Sequence, residues 1–236
     1  LNRKTHKAYY RTRDGNFNIT GFVGFDMAGK TAGVIGVGKI GRILVKILRG
    51  MEMKVLAYDF RPDISIARQL QFEYVDLDQL YRESDIISLN CPLTGKNYHM
   101  INKESIEKMK DGVMLINTGR GGLIDTMALI DGLKSGKIGF AGLDVYEEES
   151  EYFFEDFSST IISDDILARL LTFPNVLITS HQGFFTREAL YNIALTTLSN
   201  IDDYFKGKAL KNEICYQCDK EPCTKKEKGY CWKESA

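Results

Sequence analysis

The stretch TAGVIGVGKIG (residues 31–41) decides the fold of this 236-residue chain. An apolar, partly β-branched run leads into Gly36, Gly38 and Gly41, which have the spacing G-x-G-x-x-G, and a segment of helical period follows. A strand, a glycine-rich turn and a helix in this order are typical of the first βαβ unit of a dinucleotide-binding domain. The pattern therefore predicts an α/β protein of the Rossmann type.

Each part of this loop has its own predicted role. Gly36 permits the tight turn, Gly38 lets the backbone approach a pyrophosphate, and Gly41 allows the helix to pack closely on the strand. Lys39 and Ile40 open the helix, whose unpaired N–H groups and dipole attract phosphate charge. We therefore expect all five residues to bind the cofactor. The alternative is a glycine-rich turn that binds nothing.

An acidic residue, Asp59, stands at the end of the next predicted strand, about 20 residues after Gly41. A carboxylate at this position accepts hydrogen bonds from the adenine ribose hydroxyls and repels a 2′-phosphate. This predicts NAD rather than NADP as the cofactor, although Arg61 weakens the preference. The alternative for Asp59 is an ordinary strand-end turn before Arg61 and Pro62.

Short apolar runs alternate with segments of helical period from residue 31 to about residue 180. This alternation predicts a doubly wound parallel sheet. The predicted strands are 32–37, 54–59, 85–91, 113–118, 140–145 and 175–180. The predicted helices are 39–49, 76–83, 103–109, 126–134, 164–171 and 186–205.

The pattern divides the chain into four segments. An N-terminal helix and arm occupies residues 1–30, and the NAD-binding Rossmann domain occupies residues 31–183. A C-terminal helix that returns toward a remnant of a substrate domain covers residues 184–210, and a tail rich in Cys and Lys covers residues 211–236. Residues 147–169 are acidic and aromatic and interrupt the alternation, which is typical of a long functional loop.

The composition argues against several functional classes. The chain has 31 basic and 32 acidic residues and a net charge of -1, so no overall field attracts nucleic acid or an anionic membrane. No apolar stretch reaches the roughly 18 residues that span a bilayer, and the N-terminus has no apolar signal-peptide run. The simplest expectation is a soluble cytoplasmic protein that binds neither nucleic acid nor membrane.

The three histidines have different settings. His6 lies in a polar helix end, His99 lies in a turn, and His181 directly follows the apolar run 176–179. Open α/β sheets bind ligands at the carboxyl ends of their strands, and this favours His181. An imidazole there exchanges a proton near neutral pH, as interconversion of a hydroxyl and a carbonyl requires. For each histidine the alternative is an ordinary loop residue.

Arg120 leaves the carboxyl end of another predicted strand, in the stretch NTGRGG (residues 117–122). The glycines let backbone and ligand come close, and a guanidinium can bind a substrate carboxylate through two hydrogen bonds. The alternative is a surface arginine.

An acidic run of four glutamates follows the fifth predicted strand: Glu147, Glu148, Glu149 and Glu151. Most of these side chains are predicted to be solvated. One carboxylate is expected to bind the catalytic histidine, stabilise its charge and fix its orientation. The local pattern does not select which glutamate this is.

Four cysteines lie in the tail: Cys215, Cys218, Cys223 and Cys231. Four thiolates are enough for a tetrahedral zinc site or an iron–sulfur cluster, although the spacing is not that of a common zinc finger. The favoured alternative is a lysine-rich tail with reduced cysteines and no metal.

Four segments, in order, resemble the D-specific 2-hydroxyacid dehydrogenases, and most closely the NAD-dependent D-lactate dehydrogenases. They are the glycine loop, NTGRGGLID (117–125), GLDVYEEE (142–149) and FPNVLITSHQGFFT (173–186). The resemblance runs from Leu1 to about Gly207. It implies an oxidoreductase that uses NADH to reduce a 2-oxoacid, pyruvate, to the D-2-hydroxyacid, D-lactate.

The resemblance also implies residue roles. Arg120 binds the substrate carboxylate, His181 is the general acid at the carbonyl oxygen, and Glu149 keeps the imidazole charged and oriented. Phe184 is placed near the substrate. The residues implied around the nicotinamide half of NAD are Cys91, Pro92, Thr118, Gly119, Arg120, Asp144, His181, Gln182 and Gly183.

Members of this family usually carry a longer N-terminal region that forms most of a substrate domain, and this chain is expected to be a fragment that lacks it. One rival reading is a relative that acts on a bulkier 2-oxoacid, glyoxylate or phosphoglycerate. Another is a non-catalytic NADH-binding dimer that resembles corepressor sensors. Formate dehydrogenases fit less well because they pair the histidine with a glutamine. The family resemblance also implies a homodimer formed through the NAD-binding domain.

Overall fold

The computed structural model describes residues 1–208, 210 and 212. The chain separates into two compact units, of which the first spans Leu1–Gly183 and the second begins at Phe184. The predicted division into four segments stays a prediction. The four tail cysteines, Cys215, Cys218, Cys223 and Cys231, lie outside the described residues, so their metal site stays a prediction.

The first unit begins with a helix, after which strands and helices alternate. Its strands are β1 (Thr31–Ile35), β2 (Lys54–Tyr58), β3 (Glu73–Tyr74), β4 (Ile86–Leu89), β5 (Val113–Asn117), β6 (Ile138–Leu143) and β7 (Val176–Ile178). Its helices are α1 (Thr5–Arg13), α2 (Lys39–Gly50), α3 (Ile64–Leu70), α4 (Leu77–Glu83), α5 (Lys103–Lys108), α6 (Thr126–Ser135) and α7 (Asp165–Thr172), with 3₁₀ turns at Gly121–Leu123 and Glu149–Glu151.

All strands of the described residues form one parallel sheet with the order β3-β2-β1-β4-β5-β6-β7. The chain builds outward from β1 to β3 and then crosses back to β4 on the other side of β1. The strand order therefore reverses between β1 and β4, which is where open α/β sheets bind ligands. The prediction of a doubly wound Rossmann fold is confirmed.

Helices cover both faces of this sheet. Leu89 and Leu115 of the sheet pack in one buried cluster with Leu129 of α6, whereas Val34 of β1 packs in a second cluster with Val45 of α2. Burial of a side chain of this size stabilises the fold by about 1.5–3 kcal/mol. The sheet is therefore a rigid platform for the loops at its carboxyl edge.

The predicted count of six strands was wrong, because the described sheet has seven. Strand β3 has two residues, which pair with Leu56 and Ala57 of β2, and two residues are too few to show alternation. Helix α3 was also missed: it has seven residues, fewer than two turns, and Ala67 is the one that is fully buried, so its helical period is too short to detect. Each predicted strand ended one or two residues too late, because residues such as Val37 and Val145 stay buried beyond the sheet.

The second unit contains α8 (Arg187–Phe205). The hydroxyl of Thr186 caps this helix by accepting a hydrogen bond from the backbone N–H of Ala189 at 3.2 Å. Among the described residues, no helix has both the length and the apolar character needed to cross a membrane.

Candidate active site

The last residues of six strands lie side by side across the sheet. In spatial order they are Tyr58, Ile35, Leu89, Asn117, Leu143 and Ile178. Because the strands are parallel, the residues that follow them share one edge. All the predicted site residues of the first unit lie within a few residues of one of these strand ends. The fold thus brings six segments that are distant in sequence to one edge of the sheet.

The glycine loop leaves β1 through Gly36, whose φ of 93° is in the left-handed region. A Cβ added at Gly36 would lie 2.7 Å from the backbone nitrogen of Cys91. A Cβ added at Gly41 would lie 2.1 Å from the carbonyl oxygen of Gly36, so a side chain there would push α2 away from the loop. A Cβ at Gly38 would meet open space, with no described heavy atom within 4 Å. The loop is tight at both ends and open at its centre.

Helix α2 presents N–H groups at this open centre. Its N-cap is Gly38, and no described side chain caps it or places an acidic group in its first turn. By contrast, Asp63 and Asp125 cap α3 and α6 with their carboxylates. An uncapped N-terminus carries roughly half a positive charge and unsatisfied donors, both of which a phosphate group satisfies. The loop therefore fits a dinucleotide pyrophosphate.

Asp59 directly follows β2 and holds the glycine loop in shape. Its Oδ2 accepts a hydrogen bond from the N–H of Val37 at 2.7 Å, and its Oδ1 accepts one from the N–H of Arg61 at 2.8 Å. An ionised carboxylate has about four acceptor positions, so these bonds leave capacity for ribose hydroxyls. The carboxylate fits the predicted ribose role, and its bond to the loop is an additional role that the sequence did not predict.

Arg120 stands on a loop that its neighbours fix firmly. The buried side chain of Asn117 donates to the carbonyl of Arg120 at 2.9 Å and accepts from the N–H of Gly119 at 3.0 Å. A Cβ at Gly121 would lie 2.1 Å from the carbonyl oxygen of Tyr146, so the loop packs directly on the segment after β6. The Arg120 side chain is exposed, and its guanidinium donates to the carbonyl of Gly119 at 2.8 Å. A cation therefore stands at the sheet edge on a rigid support.

His181 and Glu149 meet at the same edge. Nδ1 of His181 lies 3.1 Å from Oε1 of Glu149, and the two side chains are 28% and 24% exposed. The other carboxylate oxygen of Glu149 accepts a hydrogen bond from the N–H of Tyr146 at 3.0 Å. The ring of Phe154 lies beside the imidazole, with 6.2 Å between the ring centres. The carboxylate is thus fixed by the backbone and can fix the imidazole in turn.

Asp144 organises the turn that carries His181. This buried carboxylate accepts hydrogen bonds from the hydroxyl of Thr179 at 2.5 Å and from the N–H groups of Gln182 and Gly183 at 2.9 Å and 2.8 Å. The backbone of His181 has a left-handed φ of 48°, a conformation that costs a non-glycine residue roughly 1–2 kcal/mol. The bonds to Asp144 offset this strain. Asp144, predicted near the cofactor, therefore also holds the predicted acid in place.

Cys91 and Pro92 follow β4 next to the arginine loop. A Cβ at Gly119 would lie 3.3 Å from the carbonyl oxygen of Cys91, and Thr118 precedes that glycine. Burial raises the pKa of the Cys91 thiol, so the thiol stays protonated at neutral pH. Its contact with a nicotinamide stays a prediction.

Phe184, predicted near the substrate, belongs to the second unit, which begins at that residue. Within that unit its ring packs edge-on against the ring of Phe185, with 5.9 Å between the ring centres. Its place beside the substrate stays a prediction.

A second histidine–glutamate contact lies in the same region and was not predicted from the sequence. Oε1 of Glu147 accepts hydrogen bonds from Nε2 of His99 at 2.6 Å and from the hydroxyl of Tyr98 at 2.8 Å, and Oε2 accepts one from the hydroxyl of Thr126 at 3.2 Å. Glu147 is therefore not one of the solvated members of the acidic run. Its partners lie 21 to 49 residues away in sequence, so no local pattern signals the contact.

Residues 1–183 match the family model of the D-isomer specific 2-hydroxyacid dehydrogenase, NAD binding domain. The chain is 53% identical over 214 residues to the D-lactate dehydrogenase of Escherichia coli strain K12, a match that covers 91% of this chain and 65% of that protein. Two solved structures are also similar. The pyruvate reductase of Chlamydomonas reinhardtii has a TM-score of 0.86 and 47% identity, over 89% of this chain and 64% of that one. A D-lactate dehydrogenase with NAD⁺ from Lactobacillus jensenii has a TM-score of 0.78 and 33% identity, over 91% and 64%.

The chain spans less than two thirds of the length of these relatives. The matched region holds the glycine loop, Asp59, Arg120, Glu149 and His181. The family and its cofactor therefore agree with the geometry of the sheet edge. The chain belongs to the D-isomer specific 2-hydroxyacid dehydrogenase family, and residues 1–183 form its NAD-binding domain.

Proposed function

We propose that this chain carries the cofactor site and the catalytic residues of an NAD-dependent dehydrogenase that reduces pyruvate to D-lactate. The main support is the 3.1 Å contact between Nδ1 of His181 and Oε1 of Glu149, on the sheet edge that the glycine loop shares. The names of two similar proteins, a D-lactate dehydrogenase and a pyruvate reductase, support the choice of substrate.

In this proposal the cofactor lies along the carboxyl edge of the sheet. The N–H groups at the start of α2 hold its pyrophosphate, and Asp59 accepts hydrogen bonds from the adenine ribose. NADH, when bound, supplies the hydride that reduces the substrate carbonyl. The residues of the glycine loop in this role are Gly36, Gly38, Lys39, Ile40 and Gly41, and those toward the nicotinamide are Cys91, Pro92, Thr118, Gly119, Arg120, Asp144, His181 and Gly183.

Arg120 and His181 bind and protonate the substrate, and Glu149 acts through His181. The guanidinium of Arg120 holds the 2-oxoacid carboxylate through two charge-assisted hydrogen bonds. His181 donates the proton on Nε2 to the carbonyl oxygen as that oxygen becomes a hydroxyl. Glu149 retains the proton on Nδ1 by hydrogen bonding, and its negative charge stabilises the imidazolium before transfer. Phe184 is proposed to contact the methyl end of the substrate.

The experiment is a steady-state assay of the 236-residue chain with NADH and pyruvate. We expect turnover by the unaltered chain, a loss of about 10²- to 10⁴-fold in His181→Gln, and an unchanged NADH dissociation constant in that variant. The matched control is His6→Gln, which changes a histidine of α1 that has no role in the proposed chemistry. Turnover retained by His181→Gln contradicts the general-acid role.

The same assay separates the remaining alternatives. The ratio kcat/KM is expected to be higher for pyruvate than for glyoxylate or for bulkier 2-oxoacids. NADH binding by the unaltered chain, with no oxidation on any 2-oxoacid, contradicts the enzymatic proposal and supports an NADH-binding sensor.

We further propose a cytoplasmic homodimer joined through the NAD-binding domains. Closed two-fold dimers are the commonest assembly of soluble proteins, and the resemblance to this dehydrogenase family points the same way. Light scattering on the purified chain is expected to give the mass of two copies. The mass of a single copy across a wide concentration range contradicts the dimer.

A further inference from the structure

Glu147 is the centre of a hydrogen-bonded cluster that the proposed chemistry does not use. Its carboxylate accepts hydrogen bonds from the side chains of Tyr98, His99 and Thr126. The rings of Tyr98 and His99 are stacked, with 3.9 Å between their centres and an angle of 19° between their planes. We call Tyr98, His99, Thr126 and Glu147 the Glu147 cluster. Its carboxylate has bonds on both oxygens and is 21% exposed.

The charge of this carboxylate is well stabilised. Burial by itself favours the neutral acid, but the hydrogen bonds from His99 and Tyr98 outweigh burial and hold the pKa of Glu147 below its usual value. The same contact raises the pKa of the Tyr98 hydroxyl, because that hydroxyl donates to the carboxylate. The cluster is thus held together by charge-assisted hydrogen bonds.

The cluster joins three segments of the sheet edge. Tyr98 and His99 lie between β4 and α5, Thr126 is the first residue of α6, and Glu147 follows β6. The backbone at His99 is left-handed, with a φ of 50°, and its N–H donates to the carbonyl of Gly122 at 2.8 Å. The cluster therefore connects directly to the loop that carries Arg120.

That loop is packed between two members of the cluster. A Cβ at Gly122 would lie 3.2 Å from a ring carbon of Tyr98, and one at Gly121 would lie 2.5 Å from the backbone nitrogen of Glu147. Tyr146, the residue before Glu147, donates its N–H to Glu149. Movement of Glu147 would therefore displace both the arginine loop and the carboxylate that binds His181.

We propose that Tyr98, His99 and Glu147 are positioning residues that hold the arginine loop and the Glu149 segment at the spacing a 2-oxoacid requires. This role rests on the proposed function. The three side chains act through Arg120 and Glu149 and do not touch the substrate. Loss of the cluster therefore weakens binding of the substrate carboxylate and leaves the glycine loop, with the pyrophosphate it is proposed to hold, unaffected.

The test uses the full chain with NADH bound and oxamate, a 2-oxoacid analogue, as the probe. In Glu147→Ala we expect oxamate affinity to fall about tenfold, amide hydrogen exchange of residues 119–123 to accelerate, NADH affinity to fall much less than oxamate affinity, and exchange of residues 36–41 to stay unchanged. Glu147→Gln should recover most of the affinity, because its carbonyl oxygen still accepts from Tyr98 and His99. The matched control is Glu148→Ala, which removes the exposed neighbouring carboxylate.

Unchanged exchange of residues 119–123 in Glu147→Ala overturns the positioning role. So does a general loss, in which NADH affinity falls as far as oxamate affinity and residues 36–41 exchange faster too. If Glu147→Ala does not fold, Tyr98→Phe removes one bond to the carboxylate with the ring kept, and the same readouts apply. An unaltered chain that binds NADH but not oxamate contradicts the proposed function, whereas the exchange measurement still decides the positioning role.

Discussion

Two histidine–glutamate pairs stand at one edge of this sheet, and their carboxylates come from the same short loop. Glu149 binds Nδ1 of His181 and takes its second hydrogen bond from the backbone of Tyr146. Glu147, two residues earlier, binds Nε2 of His99, and its other bonds come from the side chains of Tyr98 and Thr126. One carboxylate orients a proposed acid, whereas the other ties loops together.

The difference shows that a histidine–glutamate contact does not identify chemistry by itself. Both contacts are short, both pairs are partly buried, and both histidines have a left-handed φ. What distinguishes them is position: His181 lies three residues after the end of β7, where the sheet binds ligands, whereas His99 precedes α5 and packs on the arginine loop.

The largest expected difference is between Glu149→Gln and Glu147→Gln. A neutral amide no longer stabilises the His181 imidazolium, so Glu149→Gln should lower kcat about 10²-fold with the NADH dissociation constant unchanged. Glu147→Gln should leave kcat nearly unchanged. The measurement is NADH oxidation at saturating pyruvate. Equal losses of kcat in both variants would show that the two pairs do not differ in role.

The next effect concerns the residue through which the Glu147 cluster is proposed to act. Arg120→Ala should raise the KM for pyruvate about 10- to 100-fold, because two charge-assisted hydrogen bonds to the carboxylate are lost. Adding Glu147→Ala to this variant should raise the KM little further, since the loop then has no guanidinium to position. Fully additive effects of the two substitutions on the KM would contradict the proposal that the Glu147 cluster acts through Arg120.

A substitution of Asp144 tests whether its hydrogen bonds stabilise the turn that carries His181. Asp144→Asn leaves one side-chain oxygen to accept from three donors, so the free energy of unfolding should fall by about 1–3 kcal/mol. The melting temperature should fall by about 2–4 °C for each kcal/mol. The control is Asp131→Asn, whose carboxylate is 74% exposed. Equal melting temperatures of Asp144→Asn and the unaltered chain would contradict this role.

The smallest expected effect is the pH dependence of stability at Glu147. Its pKa is lowered in the folded chain, so its contribution is complete above the unfolded-state pKa of about 4.3 and is lost as the pH falls through the folded pKa. The stability difference between the unaltered chain and Glu147→Gln should therefore shrink as the pH falls from 7 toward 3. Denaturant unfolding across that range measures it. A difference that stays constant would show that the folded state does not favour the ionised carboxylate.

The sequence was most informative where a few neighbouring residues contain all of the physical reason for a feature. Gly36, Gly38 and Gly41 were each predicted to be glycine for a different steric reason. In the structure, neighbouring backbone atoms leave no room for a side chain at Gly36 or Gly41, whereas Gly38 faces open space. His181 was selected because it directly follows an apolar strand. Since that strand joins the parallel sheet, the residue after it lies at the carboxyl edge, where such sheets bind ligands. Helices that begin after a capping carboxylate, such as those after Asp76 and Asp164, start within one residue of their predicted positions.

The failures arose where the decisive partner is distant in sequence or where an element is short. Strand β3 is stabilised by pairing with β2 and not by its own residues, so two residues gave no pattern. Glu147 looked like part of a solvated acidic run because its three donors come from Tyr98, His99 and Thr126. The prediction that Asp144 lies at the cofactor is untested, and its additional bonds to the turn of His181 are visible only once β6 and β7 are paired.

The sequence by itself determined the nucleotide-binding fold and which residues stand at its edge, because glycine spacing, strand alternation and an acid after β2 are local constraints. The family resemblance implied the pair of Glu149 and His181, but only the tertiary structure showed that Glu147 binds His99. Side chains two residues apart on the loop after β6 reach different partners, and the packing of the strands sets which donors stand within about 3 Å of each carboxylate. That choice depends on three-dimensional distance, which the order of residues does not contain.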